Sequence, residues 1–121
     1  MLPSPDDIAT AHAFLARRLG LPGALDDRGV RAALALAATL VVVPADEPAA
    51  VFFALARFPK ALGAAARALP ILFAVNLTRA QGTRLDVREH ELAALYLPIR
   101  TKTMPFDQVR AWFAARTTPR S

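Results

Sequence analysis

The residues with chemistry to offer gather in one short stretch, Phe58–Arg67, which reads FPKALGAAAR. A glycine and three alanines opening a helix leave backbone N–H groups accessible, and the helix dipole favours an anion at that end. Lys60 and Arg67 add positive charge, so Lys60, Gly63, Ala64 and Arg67 form a candidate phosphate-binding set. The same small residues also suit a tight helix–helix turn chosen for close packing. Both readings stand from the sequence. The stretch contains no acid and no histidine, so it offers neither a general base nor a magnesium ligand.

The other reactive residues are scattered. His12 sits near the apolar face of the first helix, where a histidine is ordinarily packed rather than chemical. His90 lies between Glu89 and Glu91, but adjacent helical residues point apart, so no carboxylate–histidine pair forms. Two histidines are too few for a metal site without carboxylate help. Ser4 and the threonines have no histidine or lysine at the spacing a nucleophile needs. No catalytic or metal-ligating residue is assigned, and no cofactor is expected. With no cysteine in the chain, disulfides, thiol catalysis and cysteine-ligated metals are excluded. Leu95, Tyr96, Phe106, Trp112 and Phe113 read as core rather than as a ligand box.

Composition narrows the class further. The 121 residues hold no linker-like stretch, so one domain over 1–121 is expected. Hydrophobic content is 55%, high enough to imply apolar surface covered by a partner or by self-association. The net charge is +5, yet Arg17-Arg18 is the one adjacent basic pair and no Lys/Arg block appears. Specific nucleic-acid binding is therefore not expected. The N-terminus, MLPSPDD, lacks the positive and apolar regions of a signal peptide. The longest uncharged run, Ala32–Ala45, is too short to span a bilayer. A cytoplasmic protein without membrane contact is the expectation.

The elements that position these residues are helical throughout. Ser4, Pro5 and Asp7 make a capping box, and Ile8, Ala11, Leu15 and Leu19 then share a face. Gly20-Leu21-Pro22-Gly23 ends that helix, and Asp26 or Asp27 caps a second carrying Val30, Ala33, Leu34 and Ala37. The β-branched Thr39–Val43 predicts a short extended stub, followed by a break over Pro44–Pro48 with Asp46 capping a third helix. Val51, Ala54, Leu55 and Phe58 form that helix's stripe. A fourth helical segment, Ala64–Ala80, is apolar on nearly every side and belongs at the centre of a bundle, with Pro70 starting or kinking it. Gln81-Gly82 ends it. Asp86 with Glu89 predicts the next cap, before Leu92, Leu95, Tyr96 and Ile99, with Pro98 bending or shortening the last turn. Met104-Pro105 opens a final helix carrying Phe106, Val109, Trp112 and Phe113. The fold class is an all-α bundle of about six helices.

This order of pieces resembles the Fic/Doc family, and its death-on-curing (Doc) branch most closely. SPDDIATAHAFLARRLGLPGALDDRG (Ser4–Gly29) is similar to the family's entry helix, turn and acidic cap. AVFFALARF (Ala50–Phe58) resembles the helix before the family motif, and AVNLTRAQGTRLD (Ala74–Asp86) the end of its buried central helix. Val87–Phe113 resembles the paired C-terminal helices. The likeness runs in register over nearly the whole chain, carried by order rather than by any one specific piece.

The family's own motif, His-x-Phe-x-Asp/Glu-x-Asn-Lys-Arg, is missing. In the family the histidine acts on the target hydroxyl, the acid helps hold magnesium, and the helix start with its Lys/Arg cradles nucleotide phosphates. With Arg67 matched to the final arginine, Pro59 stands in the place of the histidine, Gly63 of the acid, Ala65 of the asparagine and Ala66 of the lysine. The loop that would clamp a target polypeptide, Thr39–Pro48, is short. An intact motif would imply transfer of phosphate or a nucleotide from ATP to a protein hydroxyl. Its loss implies a protein related to the toxin half of toxin–antitoxin pairs that works by binding. The expected partner is an antitoxin-like amphipathic helix lying in a groove, or a second copy of the chain. The alternative is a divergent active transferase using magnesium and ATP, with Lys60 and Arg67 on the phosphates and His12 or His90 as base. A weaker alternative is a small helical DNA-binding regulator, which needs an exposed basic recognition helix.

Overall fold

The caps read from the sequence start the first two helices of the computed structural model, which describes residues 1–119. Ser4 Oγ accepts the Asp7 N–H at 3.1 Å and Asp7 returns the bond to the Ser4 N–H at 2.9 Å, opening α1 (Pro5–Leu19). Gly20, with φ 65°, ends it. Of the two candidate caps for α2 (Asp27–Leu40), Asp26 takes the role, accepting the Arg28 N–H at 3.2 Å.

The chain then departs from expectation between residues 39 and 48. Thr39 and Leu40 remain helical, so the extended stub shrinks to Val41–Val43, and it pairs with no strand. A 3-10 turn over Pro44–Asp46 leads into α3 (Glu47–Ala56). Asp46 precedes α3 but does not cap it through its side chain. Its carboxylate turns back instead and accepts the N–H groups of Val42 and Val43 at 3.0 and 3.1 Å. Arg110 Nε faces the same carboxylate at 3.4 Å.

Helix α3 is the centre of the molecule. Every residue from Glu47 to Ala56 is buried, not just the stripe read from the sequence. It packs against α5 (Ala68–Ala80) on one side and α2 on another, with α6 (Glu89–Arg100) and α7 (Phe106–Arg116) completing the surround. Two aromatic pairs lock α3 to α7: Phe52 on Phe113 at 5.6 Å and Phe53 on Phe106 at 5.5 Å. Offset and edge-on rings at such distances add about 1 kcal/mol each beyond their area.

Between α3 and α5 the chain does not run straight into a helix at Ala64. A single helical turn, α4 (Pro59–Leu62), is followed by a 3-10 turn over Gly63–Ala65, and α5 begins only at Ala68. Gly63 imposes the break with φ 56° and ψ −129°, a conformation that residues with a Cβ avoid. This segment meets α5 at a bend of 90°. Pro70 falls in the first turn of α5, where a missing N–H costs nothing. The extra turn α4 makes seven α-helices among the described residues where about six were expected.

Three further differences concern the C-terminal half. Helix α6 starts at Glu89 with Arg88 as cap, and Glu91 accepts the Arg88 N–H at 2.9 Å. The Asp86–Glu89 pairing does not form, because the capping spacing is used two residues later. The helix also runs two residues beyond Pro98, so that proline does not shorten it. Finally, β1 (Thr83–Leu85) pairs antiparallel with β2 (Thr117–Pro119), matching Thr83 with Pro119 and Leu85 with Thr117. The architecture is an all-α bundle with this one two-stranded ribbon. No single helix among the described residues is long and apolar enough to cross a membrane.

Candidate functional site

The break at Gly63 borders a cleft of about 750 Å³ between the start of α2, the α4 turn and the C-terminal end of α6. Three bonds hold its floor in place. The Asp26 N–H donates to Ala61 O at 2.9 Å, the Ala61 N–H to Phe58 O at 3.1 Å, and the Gly63 N–H to Pro59 O. Gly29 permits the α2–α4 approach, since a Cβ there would collide with the Ala61 Cβ.

Four cations line this cleft: Arg57 from the end of α3, Lys60 from α4, and Arg100 and Lys102 from the end of α6 and the turn after it. Among the described residues none of the four forms an ion pair with a carboxylate. Arg57 instead lies over the Phe53 ring at 5.4 Å, which fixes its stem and leaves its edge free. Lys102 has φ 63°, an uncommon conformation for a residue with a side chain. It closes α6 by donating its N–H to Ile99 O at 3.1 Å. Phe58, Pro59 and Tyr96 supply apolar wall, and Asp26 is the one carboxylate. The whole is an electropositive hollow with a ring-bearing side, able to take an anionic group and an apolar or planar body together.

The candidate phosphate set divides. Lys60 and Gly63 line the cleft; Ala64 and Arg67 do not. The Arg67 guanidinium lies over the Tyr96 ring, 5.8 Å from its centre. The helix-dipole part of the reading is corrected, because no long helix begins at Gly63. The Gly63 N–H is spent on Pro59 O, and the Ala66 N–H on Gly63 O. Positive charge here comes from side chains rather than from a helix end. Three of the four lining cations escaped sequence reasoning: Arg57 stands just before the Phe58–Arg67 stretch, and Arg100 and Lys102 come from the distant end of α6 and the turn after it. Tyr96 is both buried core, as expected, and cleft wall.

The two histidines are elsewhere. His12 is half-buried on α1 and His90 exposed in the first turn of α6, and neither lines the cleft. The active-transferase alternative requires one of them to reach the Lys60–Arg67 turn. Among the described residues no three His, Asp or Glu side chains gather as a metal site.

A second hollow, about 510 Å³, lies between α1 and α5 and is lined by Phe14, Leu72 and Phe73 with Asp7 at one end. Phe14 is 45% exposed there. A third, about 350 Å³, has Asp46, Thr78 and Arg110 in its wall. In comparisons with known proteins, no family model matches the chain and no match is found among curated proteins.

Proposed function

We propose that this chain is a binding domain on a Doc-like helical framework, without the family's chemistry, and that its cleft takes a phosphate-bearing ligand. The observation that carries this reading is the convergence of Arg57, Lys60, Arg100 and Lys102 on one hollow with a single carboxylate among them. Cations held together repel one another, and a bound polyanion relieves that repulsion. The resemblance adds support, since the cleft lies at the segment where the family keeps its motif. Binding rather than the family's transfer is favoured because no imidazole stands in the lining where the family's histidine would act on a hydroxyl.

Calorimetric titration with pyrophosphate, and with ATP and magnesium, tests the reading. Saturable binding is expected, weakened about 10-fold in Lys60→Ala/Arg100→Ala, from about 0.7 kcal/mol for each exposed cation. Arg67→Ala should weaken it less, because Arg67 does not line the cleft. Absence of binding by both ligands at low salt refutes it.

One observation favours a second role beside the first. The half-exposed Phe14, over the Leu72 and Phe73 wall, suits the apolar face of an amphipathic partner helix or of a second copy. Sedimentation of the wild type and Phe14→Ser, alone and with a candidate partner, tests it. Identical behaviour of the two proteins in both settings removes it.

A further inference from the structure

The occupant of the cleft is constrained by more than charge. At about 750 Å³ the space is of a size that holds a whole small molecule, not an isolated phosphate. Asp26 is its one carboxylate, and it is rigidly placed. Its N–H is bonded to Ala61 O, and its Oδ1 accepts the Arg28 N–H as the cap of α2. Oδ2 has no hydrogen-bond partner among the described residues. It lies on the Gly29 side, 3.4 Å from where a Cβ of that residue would stand. Gly29 also lines the cleft. The missing side chain thus keeps that oxygen uncovered.

An acceptor in a hollow that otherwise attracts anions repels the very group the cations recruit. It is tolerated at no loss only when the ligand brings a donor to meet it. That donor is a hydroxyl rather than an ammonium, because an added cation would sit among Arg57, Lys60, Arg100 and Lys102. We infer that the cleft selects a hydroxyl-bearing phosphate ester, a polyol or sugar phosphate in chemical class, with the phosphate on the four cations and a hydroxyl on Asp26 Oδ2. This rests on the phosphate reading of the cleft and adds to it the identity of the ester.

The test uses three probes on the whole chain: pyrophosphate, ribose 5-phosphate, and pentyl phosphate, which has the same carbon count but no hydroxyl. Asp26→Ser is the variant, since serine caps a helix as well as aspartate while the carboxylate, with its free oxygen and its charge, is removed. Expected is that the wild type prefers ribose 5-phosphate over pentyl phosphate by about 5-fold or more, a hydrogen bond to a charged group. Asp26→Ser should lose that preference while binding pyrophosphate as tightly or more tightly. Equal affinity of the wild type for the two esters, with pyrophosphate binding intact, overturns the inference and leaves the phosphate reading standing. A preference that survives in Asp26→Ser overturns it as well. Failure of all three probes to bind the wild type overturns both.

Discussion

Gly29→Ala is the substitution whose sign is most informative. Gly29 lies in the first turn of α2, and at an open helical position alanine in place of glycine stabilises by about 1 kcal/mol. Here the added Cβ would collide with the Ala61 Cβ, and would press on Ala61 Cα and Asp26 Oδ2, both 3.4 Å away. Ala61 cannot move aside freely. It is 4% exposed, and its carbonyl is held by the Asp26 N–H at 2.9 Å. Overpacking of this kind costs about 1–3 kcal/mol, and weakening the Asp26–Ala61 bond about 1 kcal/mol more. After the propensity gain is subtracted, the net effect is destabilisation of about 1–3 kcal/mol, which lowers Tm by about 4–12 °C in a chain of this size. Urea unfolding monitored by circular dichroism reads the change as a shift in midpoint at constant slope. Removing the opposing methyl with Ala61→Gly should relieve the clash, so that the pair in a double-mutant cycle shows coupling of about 1–3 kcal/mol. A Gly29→Ala protein as stable as the wild type, or more so, would refute the close approach of α2 and α4 on which the cleft's floor depends.

Three other outcomes are expected. Gly63→Ala should destabilise by about 1–3 kcal/mol through backbone strain alone, since the nearest atom to an added Cβ, Ala24 O, is 3.9 Å away. Gly63→Asn should not recover the loss, because ψ −129° lies outside the left-handed helical well that asparagine tolerates; thermal unfolding of both variants checks this. Asp46→Ala should cost about 2–3 kcal/mol by stranding the Val42 and Val43 N–H groups, with Asp46→Asn keeping part of it through the amide oxygen; chemical denaturation separates the two. Raising salt from 0.05 to about 1 M should weaken pyrophosphate binding at least 10-fold, as the Debye length falls to about 3 Å, and titrations across that range show whether side-chain charge or backbone N–H groups hold the anion.

Most of the bundle was legible because short-range rules decide it. Ser4 with Asp7, Pro5 at the first helical position, and the apolar spacing of α1 and α7 act within a few residues. The same rules misplace a boundary when two registers satisfy them, as at Asp86–Glu89 against Arg88–Glu91. Phe52 and Phe53 fall outside the stripe of α3, yet both are buried, because α7 packs on the face a periodicity argument assigns to solvent. The ribbon of β1 and β2 has three residues a side, too few to show alternation, and its strands are brought together by the helices between them. The cleft was half legible. Arg57, Lys60 and Gly63 stand close in sequence, whereas Arg100, Lys102 and Asp26 meet them only through tertiary packing. The dipole argument failed on one glycine, whose φ of 56° ends a turn where a long helix was expected to begin.

The most direct test of the binding cleft is amide chemical-shift mapping of the isotope-labelled chain during titration with pyrophosphate at low salt. Saturable shifts should concentrate at residues 26–29, 57–66 and 96–102, with the midpoint moved to about 10-fold higher pyrophosphate in Lys60→Ala/Arg100→Ala. Shifts spread over the surface without saturation, or confined to the Arg17-Arg18 end of α1, would contradict the assignment of the cleft as the anion site.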